Sequence, residues 1–471
     1  VSRGRRTDHR RVSQLAGSSR QLIALAAPIA GVQFAQVALT TTDMAIMGLI
    51  GVQAIAAGGL AAVLYNLFRT MCVGVVTAVG NLVAGAAGRG ETRSASDSPD
   101  AVAGGEIRAT TRSGCLLATV TAALLAAVLI AASYVLPLVG VDAEVMARAR
   151  PMIITLAPGL VPMVWLNVLR QFSVGMRRPG PLLAVSIASI ALNAALDVAF
   201  VYGLFGAPKL GLAGVGLATT MVQILTAAAF YIVVRRDARL APYLSVNLWH
   251  ADPAIVRQIL RLGWPISVTY GSEAGITSLA AVIMGAFGPV ALAAHNVVTQ
   301  LTRIAFQVSI GLSHGSSILV SRAIGRHDIR DAHRIATAAI VLGAVTTALL
   351  GLIYVAVPSW VLRPFLGPAD ATTVSVAKIF LLFAILQQLV DFTQNIAVGL
   401  LRGIGNTRYG LRATSIGYWA VGLPAMLLFA YPAHLHGPGI WLGLSAGFAT
   451  TAVLLWRRFR RDLAAAADHS P

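Results

Sequence analysis

Twelve apolar runs, each long enough to cross a bilayer, follow one another along this 471-residue chain. They fall at 20–46, 53–84, 109–135, 151–174, 181–204, 211–234, 255–286, 291–321, 335–358, 376–400, 413–432 and 438–456. A spanning helix needs about 20 mostly apolar residues. Lipid offers no water to backbone N–H and C=O groups, so each run has to satisfy its own backbone as a helix. Composition agrees: 57% of residues are hydrophobic and 11% charged, against about 45–50% and 25% in soluble domains. The expected fold is an all-α polytopic membrane protein with twelve transmembrane helices, which excludes an ordinary water-soluble enzyme.

The net charge of +18 comes from 34 Arg and 2 Lys against 18 acids. Nucleic-acid binders gather such charge on a soluble domain; here it sits in short loops between apolar runs, so no nucleic-acid partner is expected. Counted on alternate sides of the twelve runs, 29 basic residues lie on the side of the N-terminal tail and five on the other, with Arg69 and Arg303 inside runs. The positive-inside rule then places both termini in the cytoplasm of a cell with the chain in its plasma (inner) membrane. Cys72 and Cys115 both lie in apolar runs, which implies neither a disulfide framework nor a metal set.

The chain also repeats itself. An offset of 237 pairs Pro28 with Pro265, Gly48 with Gly285, Gly51 with Gly288, Gly74 with Gly311 and Arg89 with Arg326, without a gap over more than 60 residues. An offset of 224 later pairs Val174-Gly175 with Val398-Gly399 and Arg178 with Arg402. Two parallel six-helix lobes are therefore expected: a basic tail at 1–18, an N-lobe at 19–236, a cytoplasmic linker at 237–254, a C-lobe at 255–460 and a tail at 461–471. Parallel halves of this kind are a secondary-transporter plan in which the lobes rock about a path between them. The equivalent prolines Pro28 and Pro265 are expected to kink their spans.

Four of the 18 acids fall inside spans: Asp43, Asp197, Glu273 and Asp391. An Asp at the centre of a span costs about 2.5–3.5 kcal/mol on insertion scales, so such a group pairs, faces a cavity or carries a proton. Each belongs to a polar stripe at helical spacing: Gln36, Thr40 and Asp43; Asn193 and Asp197; Glu273 and Thr277; Gln387, Asp391 and Gln394. Interhelical hydrogen bonding at about 0.6–2 kcal/mol each is the bland reading of any one of them. Carboxylates so placed also exchange a proton or ligate a cation, so the four acids with Asn193 are candidates for the coupling site. A Na⁺ ion is to be sought at Glu273 and Asp391 or at Asp43 and Asp197. Gln36, Thr40, Thr277, Gln387 and Gln394 are candidates for lining a substrate path. Arg69 and Arg303 are either counter-ions to a carboxylate or snorkelling side chains, and His295 and His314 are read first as structural.

These residues resemble the multidrug and toxic compound extrusion (MATE) antiporters. The resemblance runs from about residue 19 to 457 and rests on Thr-Thr-Asp43-Met-Ala-Ile-Met-Gly after Pro28, on Asn193-Ala-Ala-Leu-Asp197-Val-Ala-Phe-Val-Tyr-Gly and on Gly-Leu-Ala-Gly-Val-Gly-Leu-Ala-Thr at 211–219. It continues in Gly-Ser-Glu273, Val-Ser-Arg-Ala-Ile-Gly-Arg at 320–326 and Leu-Val-Asp391-Phe-Thr-Gln. It implies two six-helix lobes in a V and export of amphipathic, mostly cationic compounds against inward H⁺ or Na⁺, with no cofactor and no enzymatic step. By resemblance Asp43, Asn193 and Asp197 match the N-lobe ion site of the DinF-like branch, and Glu273 with Asp391 matches the acidic pair of the NorM-like branch. A monomer is the expected state, since two lobes complete a path. The alternatives are a lipid-linked-sugar flippase, an exporter of an endogenous metabolite, or an intramembrane transferase.

Overall fold

In the computed structural model the described residues are 2–93, 99–139, 142–204, 206–366 and 371–468. Among them, twelve helices are long and apolar enough to cross a membrane. In chain order they are α1 Ala16–Ile50, α2 Gln53–Thr92, α3 Val102–Leu138, α4 Ala143–Gly175, α5 Leu182–Tyr202 and α6 Leu212–Arg236. They continue as α7 Pro253–Gly285, α8 Pro289–Gly325, α9 Ile329–Ala356, α10 Ala371–Gly403, α11 Thr407–Ala430 and α12 His436–Ala466. Each overlaps one apolar run of the sequence, and no strand occurs among the described residues. The helix containing α1 already begins at Ser2, so much of the basic tail is helical. Of the tail expected at 461–471, residues 469–471 lie outside the described residues, and the last helix runs to Asp468.

The chain divides into two compact units, Gly31–Ser267 and a second formed by Val1–Ala30 with Val268–Pro471. Both divisions fall inside a continuous helix, two residues beyond Pro28 and two beyond Pro265. The first segment of α7 therefore packs with the N-terminal unit, and the first part of α1 with the C-terminal unit. The 237–254 linker lies wholly in the N-terminal unit, pinned by Arg178 to Asp237 at 2.8 Å and by Arg108 to the Pro242 carbonyl at 3.0 Å. Asp237 also accepts from the Arg239 amide at 2.9 Å. That backbone bond first, and then the Arg178 guanidinium, hold the Asp237 carboxyl below the usual carboxylate range.

Glycines at repeat-equivalent positions do equivalent work. In the N-terminal unit a Cβ on Gly74 of α2 would fall against the backbone of Ser267 on α7, and the Ser267 hydroxyl donates to the Met71 carbonyl at 2.9 Å. In the C-terminal unit a Cβ on Gly311 of α8 would fall 2.9 Å from the Cβ of Ala30 on α1. The offset of 237 that relates Gly74 to Gly311 also relates Ala30 to Ser267. Gly51 and Gly288, paired by the same offset, turn the chain into α2 and α8 with φ of 139° and 100°, where L side chains are strained.

α11 and α12 meet along Gly439, Gly443 and Gly447, spaced four apart on α12 so that the backbones touch with no side chain between them. Opposite this seam α11 is wound as a π-helix over Ile416–Gly422. An extra residue in the turn re-aims side chains, and here Tyr418 is fully buried in a core with Ile276, Phe380, Trp441 and Phe448.

Candidate functional site

In the N-terminal unit Gln33, Gln36, Thr40 and Asp43 form one stripe along α1. Asn193 on α5 divides its amide between two carboxyls, donating to Asp43 Oδ1 at 2.6 Å and to Asp197 Oδ2 at 2.8 Å. The Thr219 hydroxyl of α6 reaches Asp43 Oδ2 at 3.5 Å. Asn193 and Asp197 are 1% and 0% exposed, and Asp197 Oδ1 and Asn193 Oδ1 are buried without a hydrogen-bond partner. Two carboxyls whose charges act on each other, beside two unpartnered acceptor oxygens, have the chemistry to take up a proton or a small cation.

Asp43 opens onto a cleft lined by Gln36, Thr40, Tyr65, Arg69 and Asn193 among apolar side chains. A smaller hollow shares Gln36, Leu39, Val222 and Gln223 with it and reaches Arg170 on α4. Thr40 bonds back to the Gln36 carbonyl at 3.1 Å while lining the cleft. Arg69 donates to Gln36 Oε1 at 2.7 Å and to Asn66 Oδ1 at 3.1 Å. Its partners are thus neutral amides and not a carboxylate. Arg170, which the loop count of basic residues assigns to the cytoplasmic side, instead reaches Asn167 at 3.3 Å and Gln33 at 3.4 Å. Arg303 is exposed on α8.

In the C-terminal unit Asp391 of α10 is 6% exposed and its Oδ1 accepts from Asn395 at 2.9 Å and from Gln394 at 3.2 Å. Tyr418 donates to Gln394 Oε1 at 2.9 Å. Glu273 of α7 lies close enough for its charge to act on Asp391 and on Tyr418. The adjacent Ser272 accepts from Trp419 Nε1 at 2.6 Å, so the π-helical turn of α11 sends two aromatic side chains to this cluster. Gln387 is buried with Oε1 unpartnered, and Thr277 bonds back to the Glu273 carbonyl at 2.9 Å. The structure therefore gathers the four span acids into two separate pairs, one in each unit.

His295 is 4% exposed and packs edge-on against Trp441 with ring centroids 5.3 Å apart. His314 lies 3.4 Å from both the Tyr270 hydroxyl and Arg402. Neither belongs to an acid pair.

Sequence reasoning passed over Arg170, Thr219, Asn395 and Tyr418. Two of these had a signal. Asn395 follows Asp391 by four, and Arg170 follows Asn167 by three before α4 ends. Thr219 and Tyr418 are brought in by helix packing and by the π-helical winding, which no spacing announces.

Twelve membrane-crossing helices in an internal repeat, with a carboxyl pair inside each unit, define a multi-pass membrane transporter. The sequence matches the MatE family over residues 28–199 and 265–428, and the chain belongs to that family, whose members are transporters and not enzymes. It is 34% identical over 444 residues to the probable multidrug resistance protein NorM of Pseudomonas aeruginosa, covering 93% of this chain and 88% of that one. It is likewise 34% identical over 451 residues to the probable NorM of Bradyrhizobium diazoefficiens, covering 95% and 94%. The fold matches that of the eukaryotic MATE transporter AtDTX14 with a TM-score of 0.81 at 18% identity, over 97% of this chain and 99% of that one. It matches the bent form of VcmN from Vibrio cholerae with a TM-score of 0.82 at 16% identity, over 96% and 99%.

Proposed function

We propose that this chain is a monomeric secondary antiporter that exports amphipathic, mostly cationic compounds in exchange for H⁺ or Na⁺ moving inward. The observation that carries the reading is the Asp43–Asn193–Asp197 cluster, in which one amide holds two carboxyls together and a buried carboxyl oxygen has no partner. Its similarity to proteins named for multidrug resistance supports the substrate class. With Arg170 counted among the spans, the remaining 28-to-5 distribution of basic residues supports a plasma (inner) membrane location with both termini cytoplasmic.

In this mechanism the lobes are the two repeat halves, 19–236 and 255–460, joined by the 237–254 linker. An incoming proton or Na⁺ neutralises the carboxyl pair, which weakens the hold on a cationic substrate and favours its release on the far side. The ion moves the conformational balance only through its differential affinity for the two states. Glu273 and Asp391 form a second acidic pair that either couples as well or meets the substrate's positive charge, with Gln387 and Gln394 beside it.

Purified protein in liposomes, loaded with a cationic dye and given a proton gradient and a sodium gradient in turn, tests the proposal. Dye movement driven by one of the gradients is expected; movement driven by neither sinks it.

A further inference from the structure

The first segment of α7 packs one face against the N-terminal unit and leaves the other bare. Ile259 and Ile266 are buried, a Cβ on Gly263 would fall against the Val75 carbonyl, and Ser267 donates to the Met71 carbonyl. At about 100° per residue, the side of the helix opposite these residues carries Arg257, Arg261 and Trp264, and all three are exposed. The arginines stand about 6 Å apart along the axis, and Trp264 follows Arg261 by about 4.5 Å. Neither arginine enters an ion pair or hydrogen bond among the described residues. Asp252, the nearest acid in the chain, is engaged at the start of the helix, where its carboxylate accepts from the Ala254 amide at 2.8 Å.

The internal repeat supplies a comparison within the same chain. Its offset of 237 sets Arg257, Arg261 and Trp264 against Arg20, Ala24 and Ala27 of α1, which are also exposed. The fold therefore asks only for a bare face at these positions, and the second arginine and the indole are particular to α7. A further indole lies just ahead of the helix. Trp249, on the short 3₁₀ turn Leu248–His250, is 95% exposed. Its backbone is nevertheless held, because the Asn247 side chain accepts from the Trp249 amide at 3.2 Å and the Asp252 amide donates to Ser113 of α3 at 3.0 Å. An indole so exposed on a fixed segment suits a membrane–water interface, where one end of the ring is apolar and the other wet.

We propose that this face of α7 binds an anionic phospholipid, with the lipid phosphate held between Arg257 and Arg261 and with Trp264 against the glycerol and the upper acyl chain. A guanidinium presents a planar fork to phosphate oxygens and keeps its charge at the membrane surface. Two of them one turn apart, on a helix entering the bilayer, stand at headgroup level. The indole less than a turn further in stands at the interface. Phosphatidylcholine carries an ammonium group beside its own phosphate, so the arginines favour phosphatidylglycerol over it. The site depends on the chain's being a membrane protein and not on the substrate or direction of transport.

The test is native mass spectrometry of the full chain, released from detergent micelles that contain phosphatidylglycerol and phosphatidylcholine in equal amounts and with the same acyl chains. Wild type is expected to retain phosphatidylglycerol about tenfold over phosphatidylcholine, the scale of two basic residues at an anionic headgroup. Arg257→Gln combined with Arg261→Gln is expected to bring that ratio toward one, and Arg261→Ala, which copies the α1 face, to lower it several-fold. Arg408→Gln combined with Arg412→Gln removes the same charge from an exposed pair on α11 that has no tryptophan within four residues, and is expected to leave the ratio unchanged. A wild-type ratio near one overturns the proposal, as does a ratio that the α7 double variant leaves unchanged. An equal fall in the two double variants also overturns it, because net charge would then be the cause. Should an α7 variant fail to fold, as judged by thermal unfolding, Ala24→Arg combined with Ala27→Trp builds the same face on α1. That variant is expected to retain a second phosphatidylglycerol, and no added lipid overturns the proposal. A wild-type dimer that the α7 double variant abolishes reassigns the face to a second copy of the chain and likewise overturns it.

Discussion

Asn193 donates to Asp43 at 2.6 Å across 150 positions of chain while its other amide proton serves Asp197 one helical turn away. One neutral side chain thereby fixes the distance between two carboxyls in a region that would otherwise drive them apart. Replacing Asn193 with Ala removes both donors and is expected to lower gradient-driven efflux at least tenfold, since hydrogen bonds to charged groups are worth about 1.5–3 kcal/mol each. Dye efflux from liposomes checks it, and efflux within twofold of wild type contradicts it.

The two acid pairs make separable predictions. Asp43→Asn and Asp197→Asn keep shape and hydrogen-bonding capacity but remove the titrating group, and each is expected to abolish efflux driven by the coupling ion. If only the C-terminal pair couples, Glu273→Gln and Asp391→Asn abolish efflux and the N-terminal variants do not. Tyr418→Phe, which removes the bond to Gln394 without emptying space, is expected to cost about 1 kcal/mol, a several-fold effect. Parallel efflux assays under proton and sodium gradients separate these cases.

The glycine seam of α12 predicts a stability effect with no change of site. A Cβ on Gly443 would lie against the backbone nitrogen of Met426, which cannot swing aside as a side chain can. Gly443→Ala is expected to destabilise by about 1–3 kcal/mol, the usual range for overpacking. Thermal unfolding of the detergent-purified protein measures it. Gly59→Ala is the control, since nothing lies within 4 Å of its added Cβ.

Asp237 predicts a pH dependence on the linker. The Arg239 amide and the Arg178 guanidinium favour its ionised form in the folded state. A lowered folded value contributes stability above the unfolded value of about 3.9 and loses it as pH falls through the folded value. Asp237→Asn is therefore expected to melt earlier than wild type at pH 5–8, the range above that value, with the difference closing in strong acid. A difference that persists there places the effect elsewhere.

Topology is testable through the loops. Cys72 and Cys115 are buried, so a cysteine placed at Lys209 or at Arg239 is the accessible one. Lys209→Cys is expected to react with an impermeant maleimide added to intact cells, and Arg239→Cys only after the membrane is opened. The reverse pattern inverts the orientation read from the arginines.

The twelve helices were legible because membrane solvation leaves the backbone no choice, so hydropathy alone marks each span. The repeat was legible because Gly51 and Gly288 need a backbone that few other residues accept, and because Gly74 and Gly311 each admit a neighbouring helix. Those constraints are local, and local constraints survive as identities in sequence.

The four acids could likewise be named from sequence, because a carboxyl group in a span is costly wherever it sits. Their pairing was a matter of tertiary structure. Asp43 meets Asn193 and Asp197, and Glu273 lies near Asp391, only through helices that approach side by side. The same holds for Arg170, which reads as a loop charge until α4 packs against α1 and brings it to Gln33. Tyr418 reaches Gln394 through a π-helical turn for which no periodicity prepares. Sequence determined which residues pay for being in the membrane; the packing of helices decided which of them share that cost in one place.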